Sequence, residues 1–180
     1  MHVRRAIGGP GMTQVRPWRP DDDDVAAVVA LLGLVPLLEG GWYRQTWTGA
    51  DGPDGRPVGT AIYYLLAAGE RSHWHRLDTD EVWHFTDGAP IEHRQLDDSG
   101  TITTVVLGRT SDGDDANAQV VVPAGRWQTA RPLGPWSAVC CSTAPGFTDA
   151  GLELAPPDWE PPVEPPVPHR GNADEGPAST

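Results

Sequence analysis

The chain has 180 residues, a hydrophobic fraction of 38% and a formal net charge of −12. That charge argues against a nucleic-acid backbone or an anionic membrane surface as partner, since both are held by clustered basic side chains. No apolar run approaches the roughly 20 residues of a membrane helix, and no apolar signal core follows the N-terminal arginines. The two cysteines, Cys140 and Cys141, are neighbours in sequence, where a bridge would be strained. A reducing, cytoplasmic setting is therefore the expectation.

In chain order, residues 1–20 carry Gly, Pro and Arg without apolar periodicity and are expected to form a mobile lead. "DDDDVAAVVALLGL" predicts a helix. Asp24 or a neighbour caps it, Val25, Val28, Val29 and Leu32 form its buried face, and Gly33 ends it. From Gly40 to Leu154 the pattern is one of short strands: "GGWYRQTWT", "TAIYYLL", "SHWHRL", "EVWHFT", "IEHRQLD", "TITTVVLG", "AQVVVP", "WQTARPL" and "WSAVCCST". Turn-forming stretches such as "DGPDGRPVG", "TDGAP" and "SDGDDAN" separate them. Many short strands at close spacing with no intervening helix predict an all-β sandwich or barrel over residues 21–155. Residues 156–180 are Pro-rich and acidic, and are expected to be a disordered tail.

The densest chemistry lies in "HWHRLDTDEVWHFTDG", residues 73–88. Strand alternation puts His73 and His75 on one face, and Glu81, Trp83 and Phe85 on one face of the next strand. If the two strands pair as a hairpin, His73, His75 and Glu81 converge, while His84 lies outside the cluster. Two imidazoles and a carboxylate hold a divalent transition metal with positions left open. The same groups equally suit proton transfer by a carboxylate-held histidine, or a hydrogen-bonded buried pair with no ligand. Cys141, in an apolar strand without a basic neighbour, is expected to stay a thiol. Nucleophile-elbow, P-loop and dinucleotide fingerprints are absent.

Gly69, His73-Trp74-His75, Glu81 and Gly88, followed downstream by Pro123-Ala124-Gly125, resemble the two motifs of the cupin superfamily. The Glu-to-Gly spacing matches, whereas the spacing on either side of the paired histidines does not. Asn117 stands where the second motif has Gly, Gln128 where it has its histidine ligand, and Pro132 where it has Asn. The ordered segments "EGGWYRQTW", "TAIYYLL", "SHWHRLDTDEVWHF", "VVPAGRWQTARPLG" and "APGFTDAGLELA" are similar to a narrower group, the DUF985 or cupin-5 family of small cupin-fold proteins. In that family Pro-His-Pro often precedes Glu-Gly-Gly; here Leu37 and Leu38 replace the histidine and second proline.

This resemblance implies a double-stranded β-helix, the jelly-roll cupin barrel, usually a homodimer, with a pocket for a small molecule in the barrel mouth. The expected ligand is a small polar metabolite, and the expected activity is that of an isomerase- or epimerase-like enzyme using a histidine acid/base. A metal-dependent dioxygenase or isomerase, or a non-enzymatic binding module, is the alternative. The catalytic candidates are His75, Glu81 and Tyr43, with Glu81 holding His75. Glu39, Arg44, Thr46, Trp83 and Gln128 are the candidates for substrate contact: Arg44 clamps an anionic group and Trp83 stacks on a ring. Alternation sets Trp42, Arg44 and Thr46 on the face opposite Tyr43. No cofactor is fixed by these residues; if one divalent metal (Fe, Mn, Ni or Zn) is bound, His73, His75, Glu81 and Gln128 are its ligands, the glutamine a weak one beside imidazole.

Overall fold

The computed structural model describes residues 25–113 and 115–162. The expected mobile lead over 1–20, the Asp24 cap and the expected tail from residue 163 onward lie outside the described residues. The elements are α1 (Val25–Leu32), β1 (Val35–Pro36), β2 (Trp42–Thr48), β3 (Thr60–Ala67), β4 (Ser72–Leu77), β5 (Asp80–Gly88), β6 (Ile91–Leu96), β7 (Ile102–Leu107), β8 (Ala116–Asn117), β9 (Gln119–Val122), β10 (Trp127–Pro132), β11 (Trp136–Ala144) and β12 (Leu152–Leu154). They form two six-stranded sheets, ordered β1-β2-β3-β11-β5-β9 and β12-β4-β10-β6-β7-β8. The strands face each other as a jelly-roll barrel, and pairing is antiparallel except between β7 and β8.

Alternation explains what fills the barrel. Side chains of β3, β5 and β11 that point inward join those of β6, β7 and β10 in one core, with Tyr64, Leu66, Trp83, Ile91, Leu107 and Val139 all buried. Tyr64 and His93 both meet the Trp83 ring edge-on, at centroid distances of 5.6 and 4.9 Å, a favoured aromatic arrangement. The opposite face of the first sheet presents Leu65 and Ala138, and α1 covers them with Val28 while Val25, Val29 and Leu32 pack at the margin. This is the helix face read from the sequence, and Gly33 closes the helix at φ +63°, a conformation that favours glycine.

Residues 73–88 do not form a hairpin. β4 pairs with β10 and β12, whereas β5 pairs with β11 and β9. The short turn at Asp78 and Thr79 carries the chain across the barrel from one sheet to the other, so β4 and β5 face each other instead of sharing a ladder. Residues 155–162, expected in part as tail, lie along the outer face of β4. There Trp159 packs edge-on against Trp74 at 5.8 Å, and Glu160 accepts hydrogen bonds from Trp74 Nε1 (2.9 Å) and Arg71 (2.7 Å). No helix among the described residues is long and apolar enough to cross a membrane.

Candidate functional site

One end of the barrel is not filled by the described residues. A cavity of about 370 Å³ opens there, walled by Tyr43 and Gln45 of β2, Thr60 and Ile62 of β3, His75 and Leu77 of β4, Glu81 of β5, and Cys141 and Thr143 of β11. The loop before β2 adds Leu37, Leu38 and Glu39, and the segment after β11 adds Phe147, Thr148, Asp149 and Leu152.

His75 is 2% exposed. Its Nδ1 lies 2.8 Å from the His73 carbonyl oxygen, so Nδ1 carries the hydrogen and Nε2 is left with its lone pair in the neutral ring. The acid nearest Nε2 is Glu39, with Oε2 at 3.8 Å. Glu39 is held there by its backbone: its carbonyl accepts from the His73 N–H at 2.7 Å, and Tyr64 Oη donates to the next carbonyl, that of Gly40, at 2.8 Å. The turn that follows requires glycine twice. Gly40 and Gly41 sit at φ +107° and +69°, and a Cβ on either would come within 2.3 Å of the Arg71 oxygen or 2.5 Å of the Leu65 oxygen.

Glu81 faces His75 from the other sheet and is fixed from behind. Its Oε2 accepts from Trp83 Nε1 at 3.0 Å and from Gln128 Nε2 at 2.7 Å, which leaves the other oxygen to the cavity that Glu81 lines. Gln128 Oε1 in turn accepts from His93 Nε2 at 3.1 Å. The chain ends at His93 Nδ1, a buried atom without a hydrogen-bond partner among the described residues. Burial raises the Glu81 carboxyl above its ordinary range; His75 opposes that shift and the Glu39 charge adds to it. Burial lowers His93 to about 4 and pushes the Cys141 thiol well up, in line with an unreactive cysteine.

The sequence motif matches the description "Cupin superfamily (DUF985)" over residues 26–155. The chain belongs to this family. A structurally characterised protein from Shewanella oneidensis is 33% identical to this DUF985 cupin, with a TM-score of 0.68 over 77% of this chain and 85% of that one. A hypothetical protein from Leishmania major is 27% identical, with a TM-score of 0.63 over 73% and 86%. Oxalate decarboxylase from Bacillus subtilis shares the fold at 15% identity and a TM-score of 0.53, over 66% of this chain and 29% of that one. None of the curated proteins matches the chain.

The residues singled out from the DUF985 sequence separate into three groups. His75, Glu81, Tyr43 and Glu39 are brought together around the cavity. Gln128 and Trp83, expected to touch substrate, stand one layer behind it and orient Glu81. Arg44, Thr46 and His73 turn elsewhere. Arg44 lies over the Tyr63 ring at 5.4 Å on the outer face, Thr46 donates to the Ala61 carbonyl, and His73 Nε2 bonds the carbonyls of Ala155 and Pro156 at 3.0 and 3.1 Å. The neighbour of His75 Nε2 is thus Glu39, not the expected Glu81.

Bacillus subtilis oxalate decarboxylase has Mn(II) centres. The expected ligand set of this DUF985 cupin does not fit such an ion. The lone-pair-bearing nitrogen of His73 faces Arg71, and Gln128 has its oxygen committed to His93 and its amide to Glu81. No group of three or more His, Cys, Asp or Glu among the described residues is placed to hold a metal. Gln45, Thr60, Thr143, Phe147 and Asp149 line the cavity without having been singled out. Alternation from Tyr43 reaches Gln45, but the loop residues carry no periodic signal.

Proposed function

We propose that this DUF985 cupin binds a small polar molecule in the barrel-mouth cavity and moves a proton on it, as an isomerase or epimerase does, with His75 as the base. The supporting observation is the fixed ring of His75. Nδ1–H is tied to the His73 carbonyl, and the Nε2 lone pair points into the cavity beside Glu39. A proton taken by Nε2 from an activated C–H of the ligand creates an imidazolium that Glu39 stabilises. Return of a proton to the opposite face or a neighbouring carbon completes the isomerisation with no net change in atoms. Glu81, whose cavity-facing oxygen lies on the opposite wall, and the Tyr43 hydroxyl are the groups available for that return.

Native mass spectrometry of the purified protein gives the mass of any retained ligand, and incubation of that ligand in deuterium oxide reads the proton transfer. We expect enzyme-dependent deuterium uptake at one carbon, abolished in His75→Asn while the fold persists by circular dichroism. Uptake that survives in His75→Asn removes this role from His75. A retained ligand with no uptake in the native protein would make the domain a binding module instead.

A further inference from the structure

Among the described residues the cavity is acidic and has no cationic wall. Glu39, Glu81 and Asp149 line it, whereas none of the arginines among the described residues does, and the sequence contains no lysine. The arginines nearest in sequence to lining positions are engaged elsewhere. Arg44 stacks over Tyr63 outside the barrel, Arg56 is paired with both oxygens of Asp78, and Arg76 is paired with Glu153. Two of the polar side chains lining it are more than nine-tenths buried, His75 at 2% exposure and Glu81 at 7%, and the hydrogen bonds they make among the described residues use Nδ1 of the first and Oε2 of the second. A carboxylate or phosphate entering here meets like charge at low dielectric, with no arginine among the described residues to bind it.

From this we infer that the ligand is a small organic cation, a molecule carrying an amino or ammonium group seated between Glu39 and Glu81 with its carbon skeleton against Tyr43 and Phe147. The inference rests on the pocket reading above and narrows it to one substrate class. The ring faces of a tyrosine and a phenylalanine attract cations as well as alkyl groups. The volume lies at the low end of the range for ligand pockets, about 300–1,000 Å³, so the guest is small.

The ring-nitrogen NMR signals of His75 in the full chain report on the cavity directly. They are titrated with two matched sets of compounds: putrescine, butanediol and succinate, then propylamine, propanol and propanoate. The expected result is that the amines bind at least about tenfold tighter than the alcohols, a difference of about 1.4 kcal/mol, and that the carboxylates leave His75 unmoved. Glu39→Gln should remove the amine preference. Gln45→Arg, a change at an exposed position of the wall, should admit succinate. Carboxylates binding as tightly as amines, or alcohols equalling them, would overturn the cation and leave the pocket standing. If none of the six compounds perturbs His75, both the cation and the pocket reading fall.

Discussion

The two ends of this barrel are built by the same strands, two or four residues apart. Across the first sheet, the inward row Thr60, Thr143 and Glu81 is paired in register. The next row is Gln45, Ile62, Cys141 and Trp83, and the one after it is Tyr43, Tyr64, Val139 and Phe85. The first row is polar and borders the cavity; by the third, Tyr64 and Val139 are sealed into the apolar core. A side-chain period of two lets one strand supply both without any change of backbone. The closed end gives the barrel its burial energy, and the open end carries polar groups that burial alone would disfavour.

Breaking the closed end has the largest expected effect. Trp83 is 1% exposed, meets Tyr64 and His93, and donates to Glu81. Trp83→Ala should cost about 3–5 kcal/mol, as large-to-small changes of a buried aromatic do. Chemical denaturation at neutral pH checks it, and a loss below about 1 kcal/mol would mean that this end is not what holds the barrel.

The Gln128 bridge joins the two ends, and its two termini titrate with opposite effects on stability. His93 falls from an ordinary 6.5 to about 4 on burial. Between those values the unfolded chain binds a proton that the folded chain refuses, so its contribution is full above 6.5 and is lost as pH falls towards 4. The size is about 3 kcal/mol, and His93→Gln should flatten that limb of the stability profile. Glu81 is raised, chiefly by burial. The folded chain keeps its proton where the unfolded chain has released it, so stability falls as pH rises from 4.5 through the raised value. Glu81→Gln should therefore be more stable than the native chain at neutral pH and equal to it well below 4.5, measured as the difference between paired denaturation curves. A loss of stability at neutral pH would show that the ionised carboxylate is a net stabilising group.

How far these two ends could be read from residues alone differs. The closed end and its strands were legible, since alternating Val, Leu, Tyr and Trp between turn signals mark each strand, and helical spacing marks α1. Strands of two or three residues, β1, β8 and β12, carry no period. Alternation also gave the inward face of His75 and Glu81, but it says nothing about which strand pairs with which. Adjacent strands joined by a short turn suggested a hairpin, whereas the jelly roll uses that turn to change sheets. The result is that His75 and Glu81 do face one cavity, while His73, on the same side of β4 as His75, spends its ring on the carbonyls of Ala155 and Pro156. Trp159 was missed because proline-rich composition masks a single aromatic side chain that packs on Trp74.

The smallest effects should come from the polar row itself, where one hydroxyl pair separates a packing role from a positioning role. Thr60 Oγ1 and Thr143 Oγ1 are 2.9 Å apart, and Thr60 Oγ1 also accepts from the Phe147 N–H at 3.0 Å. Because that oxygen accepts from Phe147, Thr60 holds the loop that brings Phe147, Thr148 and Asp149 over the cavity. Thr143→Val keeps the shape and removes one neutral hydrogen bond, an expected loss of about 1 kcal/mol. The loop amide keeps its acceptor, so exchange at the Phe147 amide should rise no more than global stability dictates. Thr60→Val removes both bonds, and the Phe147 amide should then exchange about fivefold faster or more beyond the global change, the ratio that about 1 kcal/mol of local opening provides. Equal exchange in the two variants would mean that the loop is held by its apolar contacts and not by Thr60. The open end would then be ordered by the same kind of packing as the closed one.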